Sequence, residues 1–144
     1  MADLKIPTDL RILVVDDMKT MRTIIIKTIS QLGLVNFKEA EDGEQALALM
    51  KELESGDESI QFVFSDINMP KMNGIEFLKA IKADKTLKSV PVMMVSAENE
   101  VQYLMDATSS GAEDFLVKPF GPEDLQEKML RILFPDAVNP LSKV

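Results

Sequence analysis

Three aspartates, a serine and a lysine stand at points of this sequence that a parallel sheet would bring together. Each follows or closes a short apolar segment typical of a buried strand; the residues are Asp16, Asp17, Asp66, Ser96 and Lys118. In open parallel sheets, ligands bind outside the carboxyl ends of the strands. Three carboxylates that meet there repel one another unless a cation or a proton lies between them. Mg²⁺, which prefers oxygen ligands and often joins carboxylates to a phosphate, would relieve that repulsion.

The chemistry that this set of residues favours is phosphoryl transfer to a carboxylate. An ionised aspartate can act as a nucleophile toward phosphorus when positive groups neutralise the charge on the phosphoryl oxygens. Mg²⁺ and Lys118 can supply that positive charge, and the Ser96 hydroxyl can donate to a phosphoryl oxygen. Any one of these residues alone is more often a helix cap, a turn residue or a solvated surface group. Their joint placement at the strand ends is what predicts the chemistry.

The segments that must position these residues alternate between strand-like and helix-like patterns. The predicted strands are Leu10–Val15, Val35–Ala40, Ile60–Ser65, Val92–Ser96 and Asp114–Val117. Because the apolar runs lack polar alternation, they predict a parallel α/β sheet that helices cover on both faces. We expect the first, third and fourth strands to lie at its centre.

The predicted helices carry their own start and stop signals. Two capping boxes, at Asp42 with Gln45 and at Asn73 with Glu76, place the starts of the second and third helices. The first helix has an apolar stripe and a terminal glycine, namely Met21, Ile24, Ile25, Thr28, Leu32 and Gly33. The fifth helix begins at a proline and carries a second stripe, namely Pro122, Leu125, Met129 and Ile132. We expect both stripes to belong to the core.

Composition limits the classes of function open to this chain. It has 144 residues, 46% of them hydrophobic, which fits one domain that folds without cross-links. The absence of cysteine and histidine excludes disulfides, thiolate and imidazole catalysis, and the commoner transition-metal sites. A net charge of −8 opposes nucleic-acid binding, and the apolar runs are too short to cross a bilayer. We therefore expect a cytoplasmic protein without nucleic-acid binding or membrane insertion. We also expect it to be a monomer.

Five segments together resemble the response-regulator receiver family, from Leu10 to about Leu133. They are Leu13–Asp17, Glu39–Leu47, Ser65–Gly74, Val92–Ala97 and Gly111–Phe120. The resemblance implies a flavodoxin-like, doubly wound α/β fold, with a five-stranded parallel sheet in the order 2-1-3-4-5 and five helices. We place the receiver domain at residues 10–134, after a leader at residues 1–9 and before a tail at residues 135–144.

The resemblance also implies a role for each acidic residue. Asp66 would accept the phosphoryl group, and Asp17 and Asp66 would bind Mg²⁺ directly. Asp16 would bind Mg²⁺ mostly through water, and Asn68 would contribute its backbone carbonyl. The cofactor expected from the resemblance is therefore Mg²⁺.

The same resemblance implies a switch that links phosphorylation to a distant surface. Ser96 would take the family's Ser/Thr switch position, Phe115 the aromatic switch position, and Lys118 the place of the phosphate-contacting lysine. A cis bond before Pro119 is expected by the same analogy. Phosphorylation would draw Ser96 toward the phosphoryl group and open space into which the Phe115 ring can rotate.

The segment Asp16–Arg22 resembles the chemotaxis members of the family, which implies the expected partners. These are a histidine kinase as phosphodonor, a phosphatase, and the flagellar motor switch, which binds the face formed by the fourth helix, fifth strand and fifth helix. The candidates for that face are Val101, Tyr103, Leu104, Phe115, Lys128 and Arg131.

Departures from the family pattern leave other functions open. Phenylalanine stands at position 115 where chemotaxis members often have tyrosine, the loop Lys51–Ser59 is long, and Phe134–Val144 extends the usual end. A receiver that relays or drains phosphate without contacting a motor is an alternative. A Mg²⁺-dependent phosphohydrolase would generally need a second aspartate where Asn68 stands. In a flavodoxin, Asp16 and Asp17 would repel the flavin phosphate.

Overall fold

Five short strands build the sheet that carries the candidate residues. They are β1 (Ile12–Val15), β2 (Phe37–Ala40), β3 (Phe62–Asp66), β4 (Val92–Ala97) and β5 (Asp114–Lys118). The computed structural model describes residues 5–97 and 109–138. The strands pair in parallel in the order β2-β1-β3-β4-β5. The predicted fold class, the strand order and the central position of β1, β3 and β4 are confirmed.

Helices connect the strands and cover the sheet. They are α1 (Lys19–Gln31), α2 (Gly43–Leu53), α3 (Gly74–Ala83), α4 (Pro122–Leu133) and the short α5 (Pro135–Val138). The helix predicted as the fifth is thus α4. The predicted fourth helix would lie between β4 and β5, where residues 98–108 are outside the described part of the chain. None of the described helices is both long and apolar enough to cross a membrane.

The starts of α2 and α3 follow the predicted caps. At α3 the capping box is complete, since Asn73 Oδ1 accepts from Glu76 N and Glu76 Oε1 accepts from Asn73 N, both at 2.9 Å. At α2, Asp42 Oδ1 accepts from Gln45 N at 2.8 Å, as predicted. The Gln45 side chain, however, accepts from Glu41 N at 2.6 Å rather than from Asp42 N. The capping box at α2 is therefore only half formed, because the Gln45 side chain bonds to the backbone N–H of the residue before Asp42.

Alternate residues of each strand point to opposite faces, so the sheet has two apolar layers. On one face, Val15 and Val63 pack with buried residues of α2 and α3. On the other face, Val14 and Phe64 pack with buried residues of α1 and α4. Ile6, which lies in the predicted leader, is buried in this second layer. Because helices cover both faces, the rims at the strand ends are where polar groups can gather.

The predicted place of Ile24 in the core is wrong. Ile25 and Ile29 turn toward the sheet and are 1% and 0% exposed, whereas Ile24 is 50% exposed. Neighbouring residues of an α-helix differ by roughly 100° in direction, so Ile24 lies on the flank of α1 when Ile25 faces inward. There it borders an apolar groove of about 380 Å³. The groove is lined by Met21, Ile24, Lys118, Pro119 and Phe120.

Candidate functional site

The three aspartates meet at the carboxyl rim of the sheet. Asp16 and Asp17 directly follow β1, and Asp66 is the last residue of β3. Because β1 and β3 are parallel neighbours with Val15 opposite Ser65, the two strands end side by side. Each aspartate has one carboxylate oxygen in a group of three that all lie within 4.8 Å of one another. The structure thus brings all three predicted acids into one cluster.

Lys118 and Ser96 lie at the same rim. Lys118 ends β5, and its Nζ lies 3.9 Å from Asp66 Oδ1, so its side chain reaches past the end of β4. Ser96 is fully buried and directly follows Val95, the residue of β4 that pairs with Asp66. The peptide bond between Lys118 and Pro119 is cis, which confirms that prediction. The predicted phosphate-contacting and switch residues therefore flank the predicted acceptor.

The loop after β3 packs closely against the backbone of Asp66. Gly74 N donates to the Ile67 carbonyl at 2.7 Å, which closes the loop at the start of α3. A Cβ atom at Gly74 would overlap the Asp66 carbonyl oxygen and lie 2.9 Å from Ile67 Cα. Glycine is therefore required there by the close approach of two backbone segments. Asn68, whose carbonyl is a predicted Mg²⁺ ligand, is an exposed residue of this loop.

Asp16 is the most buried of the three acids, at 1% exposed. Burial raises the pKa of its carboxyl, against the lowering effects of the Met18 backbone N–H and of Lys118. Met18 N donates to Asp16 Oδ1 at 2.9 Å. Asp16 Oδ2 is buried and has no hydrogen-bond partner within the described residues. Such an oxygen destabilises the native state unless a cation or a water meets it.

The donor set fits a hard divalent cation. All three side chains offer carboxylate oxygens, and the Asp16 oxygen without a partner adds a ligand atom that the protein itself does not satisfy. Asp17 is exposed while Asp16 and Asp66 are buried, so solvent reaches the cluster at Asp17. Mg²⁺ keeps several waters and commonly uses one or two carboxylates together with phosphate oxygens. The residues present therefore suit Mg²⁺.

Arg22 contacts the backbone of the cluster at Asp16, and Glu39 contacts Arg22; sequence reasoning missed both residues. Arg22 is 7% exposed; its Nη1 donates to the Asp16 carbonyl at 2.7 Å and its Nε donates to Glu39 Oε1 at 2.8 Å. The available signal was an arginine within the first helix, six residues after Asp16. Its burial could not be inferred from α1 alone, because Glu39 comes from β2.

Part of the predicted partner face is described. Phe115 is partly buried on β5, and Lys128 Nζ lies 5.1 Å from its ring centroid and 3.2 Å from Asp114 Oδ1. Arg131 is exposed and pairs with Glu127 within α4 at 2.6 Å. Three further candidates for the face lie outside the described residues, namely Val101, Tyr103 and Leu104. The described part of this face thus presents an aromatic ring beside basic side chains.

Comparison with known proteins agrees with the fold. The family model "Response regulator receiver domain" matches residues 12–130. Chemotaxis protein CheY-3 of Vibrio cholerae is 42% identical over 124 residues, which cover 86% of this chain and 92% of that protein. Chemotaxis protein CheY of Pseudomonas aeruginosa is 42% identical over 123 residues, covering 85% and 95%.

Solved structures show the same architecture. The chemotaxis response regulator CheY4 of Vibrio cholerae superposes with a TM-score of 0.74 at 32% identity, covering 87% of this chain and 99% of that one. A putative response regulator from Chloroflexus aurantiacus superposes with a TM-score of 0.79 at 24% identity, which bears on the fold alone. With its family match, its relatives and its acidic rim, this chain belongs to the response regulator receiver family, as a CheY-like receiver.

Proposed function

We propose that this chain is a chemotaxis-type signalling protein in which Asp66 accepts a phosphoryl group from a histidine kinase. Asp16, Asp17, Asp66 and the Asn68 carbonyl would hold the Mg²⁺ that the reaction requires. The observation that carries the proposal is the gathering of three carboxylates within 4.8 Å of one another, with Lys118 Nζ 3.9 Å from Asp66. Relatives named as chemotaxis proteins support the pathway.

The transfer forms one bond and breaks one. An Asp66 carboxylate oxygen bonds to phosphorus, and the bond between phosphorus and the donor's leaving group breaks. That leaving group is an imidazole nitrogen of the kinase's phosphohistidine, or acetate when acetyl phosphate is the donor. When bound, Mg²⁺ supplies the positive charge that allows carboxylates and phosphoryl oxygens to lie together. Receiver domains generally bind Mg²⁺ at an acidic pocket of this kind.

The chain's own residues hold the nucleophile and a second positive charge in place. Asp66 is 8% exposed at the end of β3, so its carboxylate is held by packing yet can be reached from the rim. Lys118 is placed to contact a phosphoryl oxygen on the side opposite Asp16 and Asp17. Because the acceptor belongs to the chain itself, the protein would assist only its own phosphorylation and dephosphorylation. Asn68, where a phosphohydrolase would have its acid and base, supports that distinction.

The proposed output is a shift between two conformations. Once Asp66 is phosphorylated, the Ser96 hydroxyl donates to a phosphoryl oxygen and draws the end of β4 toward the site. Space then opens beside β5 for the Phe115 ring. Phe115 is partly buried, so its ring has further surface to bury when it rotates. A motor switch protein that prefers the phosphorylated conformation would, by linkage, increase its population.

Labelling with acetyl phosphate tests the chemistry. The intact mass of the wild-type chain should increase by one phosphoryl group in the presence of Mg²⁺, and a chelator should prevent the increase. Asp66→Asn should show no increase. Asp57→Asn is the matched control, since Asp57 is an exposed aspartate of the loop after α2 and should leave labelling unchanged. Labelling of Asp66→Asn to the wild-type extent would contradict the proposal.

Affinity capture with and without a beryllofluoride mimic of the phosphoryl group tests the output. Recovery of a motor switch protein only with the mimic supports the proposed pathway. Recovery of a histidine phosphotransfer protein instead would favour the relay alternative. Equal recovery of the partner in both conditions would contradict phosphorylation-dependent binding.

A further inference from the structure

Arg22 is a buried cation that contacts the backbone of the acid cluster. It lies in the first turn of α1 and is 7% exposed. Its Nη1 donates to the Asp16 carbonyl oxygen at 2.7 Å. Desolvating a charge without partners is costly, so the two acceptors that Arg22 contacts, the Asp16 carbonyl oxygen and Glu39 Oε1, help to stabilise the buried guanidinium. Arg22 therefore holds one particular position of the Asp16 backbone.

The loop between β1 and α1 is held by hydrogen bonds that converge on Asp16 and Met18. Asp16 N donates to the Ala40 carbonyl at 3.1 Å, and Met18 N donates to Asp16 Oδ1 at 2.9 Å. Arg22 N donates to the Met18 carbonyl at 3.1 Å, while its side chain holds the Asp16 carbonyl. Arg22 thus contacts this loop at both ends. The loop carries two of the three clustered carboxylates, so its position decides where they point.

Glu39 determines the direction of the Arg22 guanidinium. Glu39 lies on β2, opposite Val14 of β1, and its Oε1 accepts from Arg22 Nε at 2.8 Å. The guanidinium is a planar fork, so a bond at Nε fixes where its other N–H groups point. The Arg22 side chain is 8% exposed and that of Glu39 is 44% exposed. Glu39 can therefore be changed with little damage to the core.

We propose that Arg22, oriented by Glu39, is a positioning residue that sets the affinity of the acid cluster for Mg²⁺. The inference rests on the proposed function in taking Mg²⁺ as the ligand of this cluster. Residues that hold metal ligands in place typically change metal affinity by about 10- to 100-fold when they are replaced. Arg22 acts in the same way, through the backbone of the loop that carries Asp16 and Asp17.

The sign of the effect separates positioning from plain electrostatics. Arg22 is a cation beside a cation site, so Coulomb repulsion alone predicts that its removal strengthens Mg²⁺ binding. A positioning role predicts the opposite, because a loosened loop no longer presents its carboxylates together. A purely structural role would lower the unfolding temperature and leave the Mg²⁺ affinity of the folded protein unchanged.

The experiment is a calorimetric titration of the full chain with Mg²⁺, at a temperature where circular dichroism shows each variant folded. Arg22→Met and Arg22→Lys should each bind Mg²⁺ about tenfold more weakly than wild type. Lysine keeps the charge but cannot donate in two fixed directions. Glu39→Ala should show a similar loss, whereas Glu39→Gln, which keeps an acceptor oxygen for Arg22 Nε, should bind like wild type.

A matched control and a double variant complete the test. Glu41→Ala removes the same charge just beyond β2, at an exposed residue whose side chain has no polar contact within the described residues. It should leave the affinity unchanged. Arg22→Lys combined with Glu39→Ala should bind no more weakly than Arg22→Lys alone, because both remove one interaction. Raising the Mg²⁺ concentration should restore acetyl phosphate labelling of Glu39→Ala.

The outcomes separate this inference from the proposed function. Equal or tighter Mg²⁺ binding by Arg22→Met and Glu39→Ala, in a wild-type protein that binds Mg²⁺ and is labelled at Asp66, would overturn the positioning role alone. A loss in Glu41→Ala equal to that in Glu39→Ala would also overturn it, since charge alone would then explain the effect. A wild-type chain that neither binds Mg²⁺ nor accepts phosphate would overturn both. If Arg22→Met does not fold, the Mg²⁺ affinities of Glu39→Ala and Glu39→Gln test the positioning role instead.

Discussion

Replacing Gly74 by alanine should damage both stability and the phosphorylation site, because no space exists for a side chain at this position. The added Cβ would overlap the Asp66 carbonyl oxygen and lie 2.9 Å from Ile67 Cα and 2.8 Å from Met94 Cε. The methionine end can move, but the other two atoms belong to the backbone. The start of α3 would therefore have to move away from the end of β3.

The size of the effect follows from the contacts that this movement breaks. Gly74 N donates to the Ile67 carbonyl at 2.7 Å, and a buried backbone bond that is lost without replacement costs about 1–3 kcal/mol. Forcing an extra methyl group into a packed site costs typically about 1–3 kcal/mol. Together the two terms predict a loss of roughly 2–6 kcal/mol, a large share of the roughly 5–15 kcal/mol that stabilises a domain.

Urea denaturation followed by circular dichroism, in a chelator, measures this loss. Gly56→Ala is the control, since its added Cβ would lie 3.8 Å from the Leu53 carbonyl oxygen and 4.0 Å from Glu58 N. That variant should differ from wild type by no more than about 0.5 kcal/mol. Acetyl phosphate labelling should also slow in folded Gly74→Ala, since Asp66 is displaced. A Gly74→Ala protein as stable as Gly56→Ala would refute the reasoning.

Three further predictions concern other parts of the chain. Millimolar Mg²⁺ should raise the unfolding midpoint, because it binds the native state preferentially, and Asp17→Asn should weaken that response; a midpoint that does not respond to Mg²⁺ would count against the site. Lys71 has a φ of 65°, a backbone conformation that costs a residue other than glycine about 1–3 kcal/mol. Lys71→Gly takes positive φ without that strain but loses more backbone entropy on folding, so it should raise the free energy of unfolding by roughly 1 kcal/mol in urea titrations, and a decrease would contradict this account. Lys51, which donates to Asp84, lowers the pKa of that carboxyl, as do bonds from Thr86. The folded Asp84 carboxyl therefore holds its proton less tightly than the unfolded one. The stability that the ionised carboxyl contributes is fully present above the unfolded pKa of about 3.9. It is lost as the pH falls from there through the lower folded pKa. Asp84→Asn should flatten the fall in stability over that acid range, and an equal slope in both proteins would show that the pair contributes nothing.

Signals confined to a few neighbouring residues predicted the strands, the helix starts and the residues of the acid cluster. The apolar run before Asp16 and the one that ends at Asp66 predict strands from their own residues, since they are short, continuous and rich in β-branched and aromatic side chains. The meeting of their ends also required the strand order, which the resemblance to the receiver family supplied, because only neighbouring parallel strands bring Asp16, Asp17 and Asp66 together. The complete capping box at Asn73 and Glu76 likewise needs only residues within one helical turn.

Features that depend on contacts between distant elements were not predictable in this way. The exposure of Ile24 depends on how α1 is rotated against the sheet, which packing with other elements decides. The burial of Arg22 depends on Glu39, which is 17 residues away on another strand. At Lys71 the local preference for φ below zero is overridden, because the Met72 N to Pro70 carbonyl bond of 2.7 Å holds a tight turn there.

One of the expected departures from the family pattern, the loop Lys51–Ser59, lies at the rim opposite the acids. The loop after α2 begins beside contacts that join α2 to the segment between α3 and β4, namely Lys51 Nζ to Asp84 Oδ2 at 2.7 Å and Thr86 Oγ1 to Glu54 Oε2 at 2.6 Å. In a parallel sheet the helices run back from the carboxyl rim, so these contacts lie at the amino ends of the strands. The carboxyl rim accumulates like charges that destabilise the free protein, whereas the amino rim pairs opposite charges. Because the length of the sheet separates the two rims, the long loop can vary without moving Asp16, Asp17 or Asp66.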